Sequence, residues 1–380
     1  MTPTRIPLSA PDVIEADIEA VVNVLRTPRL SLGPELEAFE RETAQYVGAD
    51  HAIAVNSGTS GLHLCMRAFG IRDGDEVIVP SFTFIAAANV IRMVQATPVF
   101  VDIDPVTLNL DPERVAAAIT ARTRAILVVH TFGRPAAMTQ LLEIAQRHGL
   151  VLIEDACEAM GAEYRGRKVG VLGNAGVFGF YPNKQITTGE GGMIVTNDSG
   201  IAQMARSLRN QGRVNSEDWL DHAHLGYNYR LSEINCALGR AQLQRLEEIL
   251  QRRAAVAAWY NACLSGHPDL NMPDLDFPDG RLSWFVYVVR LAARFHRAER
   301  DTMIRTMAEE GIECGRYFAP IHMQPAYRNP PRADNCLAVT EEVGQRCIAL
   351  PFFNRISFPD VLQVCRSLED ALKRSSPSER

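Results

Sequence analysis

Apolar residues along residues 1–200 follow two patterns that alternate, helical spacing and short unbroken runs. Glu35 to Val47 is amphipathic, with Leu36, Phe39, Thr43 and Val47 on one face. Ala52 to Val55 reads as a buried strand, and Ser60 to Phe69 as the helix after it. The alternation continues with a strand at Glu76–Val79, a helix at Ile85–Val94 and a strand at Val99–Val101. Asp111, Pro112 and Glu113 then open a helix, an N-cap acceptor followed by proline at the first helical position. Ala125–Val129 and Val151–Ile153 are further strands, separated by a helix at Met138–His148. Val177–Phe180 and Met193–Thr196 complete the series. Helices alternating with short apolar strands predict an α/β fold with a mostly parallel sheet.

The pattern changes at Leu231. Leu231, Ile234, Leu238, Ala241, Leu243, Leu246 and Leu250 predict one long helix running towards Tyr260. A Pro-, Gly- and Asp-rich loop or linker covers Ser265–Arg281, then a strand at Trp284–Val289 and a helix at Arg300–Glu310. A chain of 380 residues accommodates about two domains at ~150 residues each. The expectation is a large domain over 1–250 and a smaller C-terminal α/β domain over 251–380, with the final SSPSER a frayed tail.

Composition narrows the functional class. Lys and Arg number 39 against 45 Asp and Glu, with the signs interspersed and a net charge of −6. That balance offers no basic block for nucleic acid. No apolar run reaches the ~20 residues of a membrane span. The stretch MTPTRIPLSAPDVIEAD lacks the apolar centre of a signal peptide. The eight cysteines, Cys336 among them, include no CxxC pair and read as reduced thiols. A cytoplasmic enzyme is expected.

Two nucleotide signatures are absent. No GxxxxGK[ST] occurs, and Gly170, Gly173 and Gly176 in GVLGNAG have the wrong spacing for a dinucleotide loop, so that run is expected to be a turn. The chemistry gathers instead at strand-to-loop junctions. Asn56 to Gly61 follows a strand and opens a helix, whose free N–H groups suit a phosphate; a plain strand–helix turn is the alternative. Glu154 and Asp155 end a buried strand, where a carboxylate needs a cation or several donors; a protonated pyridine nitrogen and an arginine both qualify. Lys184 sits in Tyr181–Gln185, ahead of the glycine-rich Thr187–Gly192. A lysine so held suits Schiff-base chemistry, because desolvation favours the free amine, although a surface charge is the simpler role.

A phosphate turn near residue 58, a carboxylate at 155 and a lysine at 184 form the layout of a fold-type I pyridoxal phosphate (PLP) enzyme. The segments NSGTSGLH, VPSFTFIAAANVI, PVFVDID, IEDACEAMGAEYRG, GFYPNKQITTGEGGMIVT, GYNYRLSEINCALG and YFAPIHMQPAY resemble the DegT/StrS sugar-nucleotide aminotransferases over nearly the whole chain. The resemblance implies a PLP-transferase fold and an aminotransferase that makes an amino sugar from a nucleotide-linked keto-sugar. It favours a 4-keto sugar, allows a 3-keto sugar, and gives glutamate as amino donor.

By the same resemblance, Lys184 takes the place of the lysine that forms the Schiff base with PLP. Asp155 matches the aspartate that keeps the pyridine nitrogen protonated. Gly58 and Thr59 match the phosphate turn, and Phe84 an aromatic side chain stacked on the ring; a core position is the alternative for Phe84. Asn228 matches a segment that reaches the neighbouring subunit's phosphate, which implies a homodimer with shared sites; the alternative is a helix face on which Arg230 pairs with Glu233. His322 lies in a substrate-facing loop, where a structural histidine is equally expected.

Two positions depart from the family pattern. Gly179 replaces a serine that contacts the phosphate, leaving only backbone donation. Glu158 replaces Gln or His near the ring hydroxyl, as in some perosamine-type 4-aminotransferases. Two rival functions are a PLP-dependent sugar dehydratase, whose relatives carry histidine in place of Lys184, and a non-catalytic regulatory relative.

Overall fold

The structure, a computed structural model, describes residues 5–214, 221–328 and 337–375. Cys336 and the last five residues of the expected tail lie outside them. Helices α1 (Glu15–Leu25) and α2 (Pro34–Val47) precede β1 (His51–Val55). Next come α3 (Gly58–Ala68), β2 (Glu76–Pro80), α4 (Ala86–Met93), β3 (Thr97–Val101), α5 (Pro112–Ala118), β4 (Thr123–Val129), α6 (Met138–His148) and β5 (Val151–Asp155). A short hairpin, β6 (Glu163–Tyr164) and β7 (Arg167–Lys168), leads to β8 (Ala175–Gly179), β9 (Gly192–Thr196) and α7 (Ser199–Arg209). The remainder comprises α8 (Glu233–Gln244), α9 (Leu246–Leu264), β10 (Leu270–Asn271), β11 (Gly280–Arg281), β12 (Tyr287–Leu291), α10 (Arg297–Glu309), α11 (Ala338–Arg346), β13 (Cys347–Leu350) and α12 (Phe358–Ser375).

The main sheet has seven strands in the order β1-β9-β8-β5-β4-β2-β3. Only β9 runs antiparallel to its neighbours, so the sheet is mostly parallel, as the alternating pattern predicts. Its strands are mostly apolar, as suits a sheet covered on both faces. Ala52, Ala54, Ile78, Ile126, Val128 and Leu152 enter one core. Their alternates Ile53, Val55, Val77, Val79, Leu127 and Ile153 enter the other, against α3 and α4. This period of two also separates adjacent acids: Glu154 follows Leu152 onto the first face, and Asp155 follows Ile153 onto the second.

The single long helix expected after Leu231 is two helices. The chain leaves helical geometry at Arg245 (φ −103°, ψ 4°), whose guanidinium is drawn to the Asp12 carbonyl and the Asp17 carboxylate, both at 3.0 Å. Ser232 caps α8 by accepting the Asn235 N–H. Helix α9 straddles residue 250. Leu246, Ile249 and Leu250 join the core of the large sheet, while Val256, Ala257, Tyr260 and Leu264 join a separate core beneath β12, β13 and α12. Ile6 belongs to that second core and exchanges backbone hydrogen bonds with Gly311 and Glu313. The expected linker 265–281 carries β10, paired with β12, and β11, paired with β6, so its ends are tied to both parts of the molecule.

The seven described cysteines form no disulfide. Among the described residues no helix is long and apolar enough to cross a membrane.

Candidate active site

The first turn of α3, the end of β5 and the turn after β8 meet at one edge of the main sheet. Ser57 caps α3 by accepting the Ser60 N–H at 3.0 Å. The N–H groups of Gly58 and Thr59, next in the turn, have no acceptor within the helix. Glycine is required at 58, because a Cβ there would meet the Cys157 sulfur at 2.7 Å. Gly179 packs on the same thiol; a Cβ at 179 would lie 3.2 Å from the Cys157 Cβ and 3.3 Å from its sulfur. A side chain at 179 would press on Cys157, which would have to shift by a few tenths of an ångström.

Asp155 is 8% exposed and accepts the Cys157 N–H at 3.1 Å. Burial and the Asp155 carboxylate push the Cys157 thiol well above its ordinary value, while Lys184 pulls it down. Glu158 is also buried. One oxygen lies 3.7 Å from Lys184 Nζ, and the other accepts the Phe132 N–H at 2.9 Å. Burial raises the Glu158 carboxyl above its ordinary value, opposed first by the Lys184 ammonium. Lys184 is therefore not a surface charge. Its Nζ lies 3.9 Å from the Phe285 ring centre, and its side chain is 15% exposed.

Glu154 takes no part in this edge. On the opposite face it accepts the N–H groups of Gly170, Leu172 and Gly173 within 2.7 Å, and it meets His130 Nε2 at 2.9 Å. His130 Nδ1 accepts the Ala136 N–H, so the Nε2 hydrogen points at Glu154. GVLGNAG is accordingly a turn organised around a carboxylate, with no strand-to-helix phosphate loop.

Phe84 is 61% exposed, whereas Phe82 is buried, so Phe84 is not a core side chain. Asn228 is exposed and bridges by backbone to Asn210. The Arg230–Glu233 pair, the alternative for this segment, does not form. Arg230 donates to the Asn210 side chain, and Glu233, 1% exposed, accepts the N–H groups of Gly33, Glu35 and Leu36 at 2.8–3.0 Å. His322 has both ring nitrogens engaged, Nδ1 with the Ser81 hydroxyl at 2.7 Å and Nε2 with Glu341 at 3.2 Å.

Sequence analysis gives no site role to Phe285, because an aromatic ring inside an apolar run carries no distinguishing signal, or to Cys157, which stands between the acids Asp155 and Glu158 and reads as one more reduced thiol. His63 is another. It lies in the quoted NSGTSGLH segment, packs edge-on to Tyr227 at 4.9 Å, and has Nδ1 3.3 Å from the Tyr229 hydroxyl. Burial, with Arg67 adding to it, pushes His63 down to about 4, so a neutral imidazole supports the residues flanking Asn228.

These residues fit a pyridoxal phosphate. The open N–H groups of α3 suit its phosphate, the half-buried Lys184 its aldehyde, and the Asp155 carboxylate its ring nitrogen. The Asn183 side-chain oxygen, buried beside Lys184 in sequence, has no partner among the described residues.

Residues 11–369 match the DegT/DnrJ/EryC1/StrS aminotransferase family. GDP-perosamine synthase of Caulobacter vibrioides is 41% identical over 97% of this chain and 98% of its own. The dTDP-3-amino-3,4,6-trideoxy-alpha-D-glucose transaminase of Streptomyces venezuelae is 39% identical over 93% and 92%. The crystal structure of S. venezuelae DesV in complex with a ketimine intermediate superposes with a TM-score of 0.89, at 37% identity, over the full length of both chains. Pyridoxal phosphate is the family's cofactor, and solved structures of this fold hold it in PLP and PMP forms. The chain belongs to the DegT/DnrJ/EryC1/StrS aminotransferase family.

Proposed function

We propose that this aminotransferase converts a nucleotide-linked keto-sugar, with the ketone at ring carbon 4, into an amino sugar, using glutamate as donor. The observation that carries the reading is the convergence of Lys184, Glu158, Asp155 and the first turn of α3 at one sheet edge. The similarity to a perosamine synthase, which extends to Glu158 in the sequence reading, supports carbon 4. The 3-amino name of the second relative keeps carbon 3 as the competing reading.

When bound, PLP supplies an electron sink that stabilises negative charge on the carbon losing its proton. The chain's own residues do the rest. The Gly58 and Thr59 N–H groups hold the phosphate at the positive end of α3. Gly179 supplies only backbone at this point, so no hydroxyl assists there. The Asp155 carboxylate holds a proton on the ring nitrogen. Phe84, exposed on the loop after β2, would cover one face of the ring. Lys184 would hold the cofactor by its aldehyde, and its freed amine would take the proton from the donor's α-carbon and later supply one to the sugar carbon. Glu158, 3.7 Å from Lys184 Nζ, would stand beside the ring hydroxyl. His322, held by Ser81 and Glu341, borders the sugar.

The reading includes a homodimer in which Asn228 reaches the partner's phosphate site. It also places the enzyme in the cytoplasm, in keeping with free thiols. A panel of UDP-, GDP- and dTDP-linked 4-keto and 3-keto sugars, incubated with glutamate and followed by mass spectrometry, tests it. Amination of a 4-keto substrate is expected. Turnover confined to 3-keto sugars would overturn the ring position, and turnover of none would overturn the substrate class. A dehydratase is disfavoured because Lys184 is present.

A further inference from the structure

A cavity of about 410 Å³ opens between the loop after β3, the turn after β4 and the chain entering β12. That volume is in the range of small-molecule sites. The cavity and Lys184 lie on opposite sides of the segment 284–288. The Phe285 ring meets the Lys184 ammonium, whereas Trp284, Val286 and Val288 line the cavity.

Two polar groups on its walls have no hydrogen-bond partner among the described residues. Thr131 is 1% exposed with its hydroxyl unpaired, and Nε of Arg134 is buried and equally unpaired. Buried polar groups are almost always satisfied, so an unpaired couple on a cavity wall points to an acceptor brought from outside. The Arg134 guanidinium lies over the Phe277 ring, 5.3 Å from its centre. Arg290 also lines the cavity, against a single rim carboxylate, Asp274. The charge balance there is positive, and Thr107 and Asn271 stand among apolar wall residues such as Phe132, Trp284 and Val286.

We propose that this cavity is a second ligand site, which takes a small organic anion, a carboxylate or phosphate head on a flat apolar body. Arg134 and the Thr131 hydroxyl receive the head, and Arg290 adds charge. The body lies against Trp284 and Phe132. The site shares a wall with the catalytic edge, because the Phe132 N–H that follows Thr131 donates to Glu158.

Phenyl phosphate and benzoate are the probes, titrated separately into the PLP-loaded enzyme, where cofactor already fills the phosphate turn. Tryptophan fluorescence, through Trp284, and calorimetry report binding. One probe per chain is expected, with neutral benzyl alcohol at least ~10-fold weaker, and the tighter probe identifies the head group. Arg134→Gln and Thr131→Val should each weaken the tighter probe by roughly 10-fold or more, as loss of a hydrogen bond to a charged group does. Thr131→Val keeps the side-chain shape and carries the test alone if Arg134→Gln does not fold. Absence of binding by both probes up to roughly 10 mM, equal binding of benzyl alcohol, or binding indifferent to these substitutions would overturn the proposal.

Discussion

Glu158 Oε1 stands 3.7 Å from Lys184 Nζ, so the lysine read as the cofactor's anchor shares its pocket with a buried carboxyl. The second Glu158 oxygen is fixed by the Phe132 N–H. A carboxylate facing a phenolate oxygen would repel it, whereas a carboxylic acid can donate to it. Burial favours the acid, and Lys184 opposes that shift without cancelling it.

The first prediction uses that direction. A raised folded-state value means that the folded protein binds this proton more tightly than the unfolded chain. The resulting stability is fully present below the ordinary Glu value of 4.5 and is lost as pH rises through the raised value. Glu158→Gln keeps the shape without the ionisation. Thermal unfolding of both cofactor-free proteins across roughly pH 4 to 8 should show the wild type losing stability relative to Gln as pH rises. A pH-independent difference would refute the shift.

Asp155 is the second test. It is buried, and it accepts the neighbouring Cys157 N–H, a hydrogen bond that an asparagine oxygen can also accept. Asp155→Asn therefore removes charge while keeping shape. With the ring nitrogen no longer held protonated, kcat should fall by on the order of 10²-fold with little change in KM for the amino donor. Unchanged turnover would remove Asp155 from the chemistry.

Glu233 concerns stability alone. Its carboxylate closes the start of α2 by accepting three N–H groups 197 to 200 residues away in sequence. Glu233→Ala strands those donors beside a positive helix end and should cost about 2–3 kcal/mol in denaturant unfolding. Glu233→Gln, which keeps one acceptor, should cost less. A loss under about 0.5 kcal/mol for Ala, the range of an ordinary surface substitution, would mean that water replaces the carboxylate freely.

The contrast between Glu233 and Lys184 shows what the sequence could carry. Strands and helices over 35–200 are legible because their periodicity is local, and Lys184, Asp155 and Gly58 stand out because each follows a strand. Glu233 reads as a helix-surface acid, since nothing local says that α2 lies against it. Arg245 is similar: its heptad neighbours continue the helix, and only Asp12 and Asp17, far off in sequence, pull it out of helical geometry. Phe285 and Thr131 reach their places through tertiary packing, where an apolar run looks the same whether it faces core, lysine or cavity.

The last prediction concerns assembly. In the single chain Asn228 is exposed, although its neighbours Tyr227 and Tyr229 are packed on His63 and Arg230 is held by Asn210. The segment is thus presented rigidly while the Asn228 side chain is left outside. Exposed Tyr181 on the loop after β8 adds apolar surface that a second subunit would cover. A dianionic phosphate also needs donors beyond one helix terminus, and Gly179 supplies no hydroxyl. If Asn228 serves the partner's site, Lys184→Ala and Asn228→Asp inactivate a dimer by different routes. Unfolded together and refolded, some mixed dimers then combine an intact Lys184 with an intact Asn228 from the opposite chain. Activity should reappear in the mixture, at up to about one functional site per mixed dimer. Mixed dimers that form, as seen by mass spectrometry of differently tagged chains, yet stay inactive would return Asn228 to its own subunit.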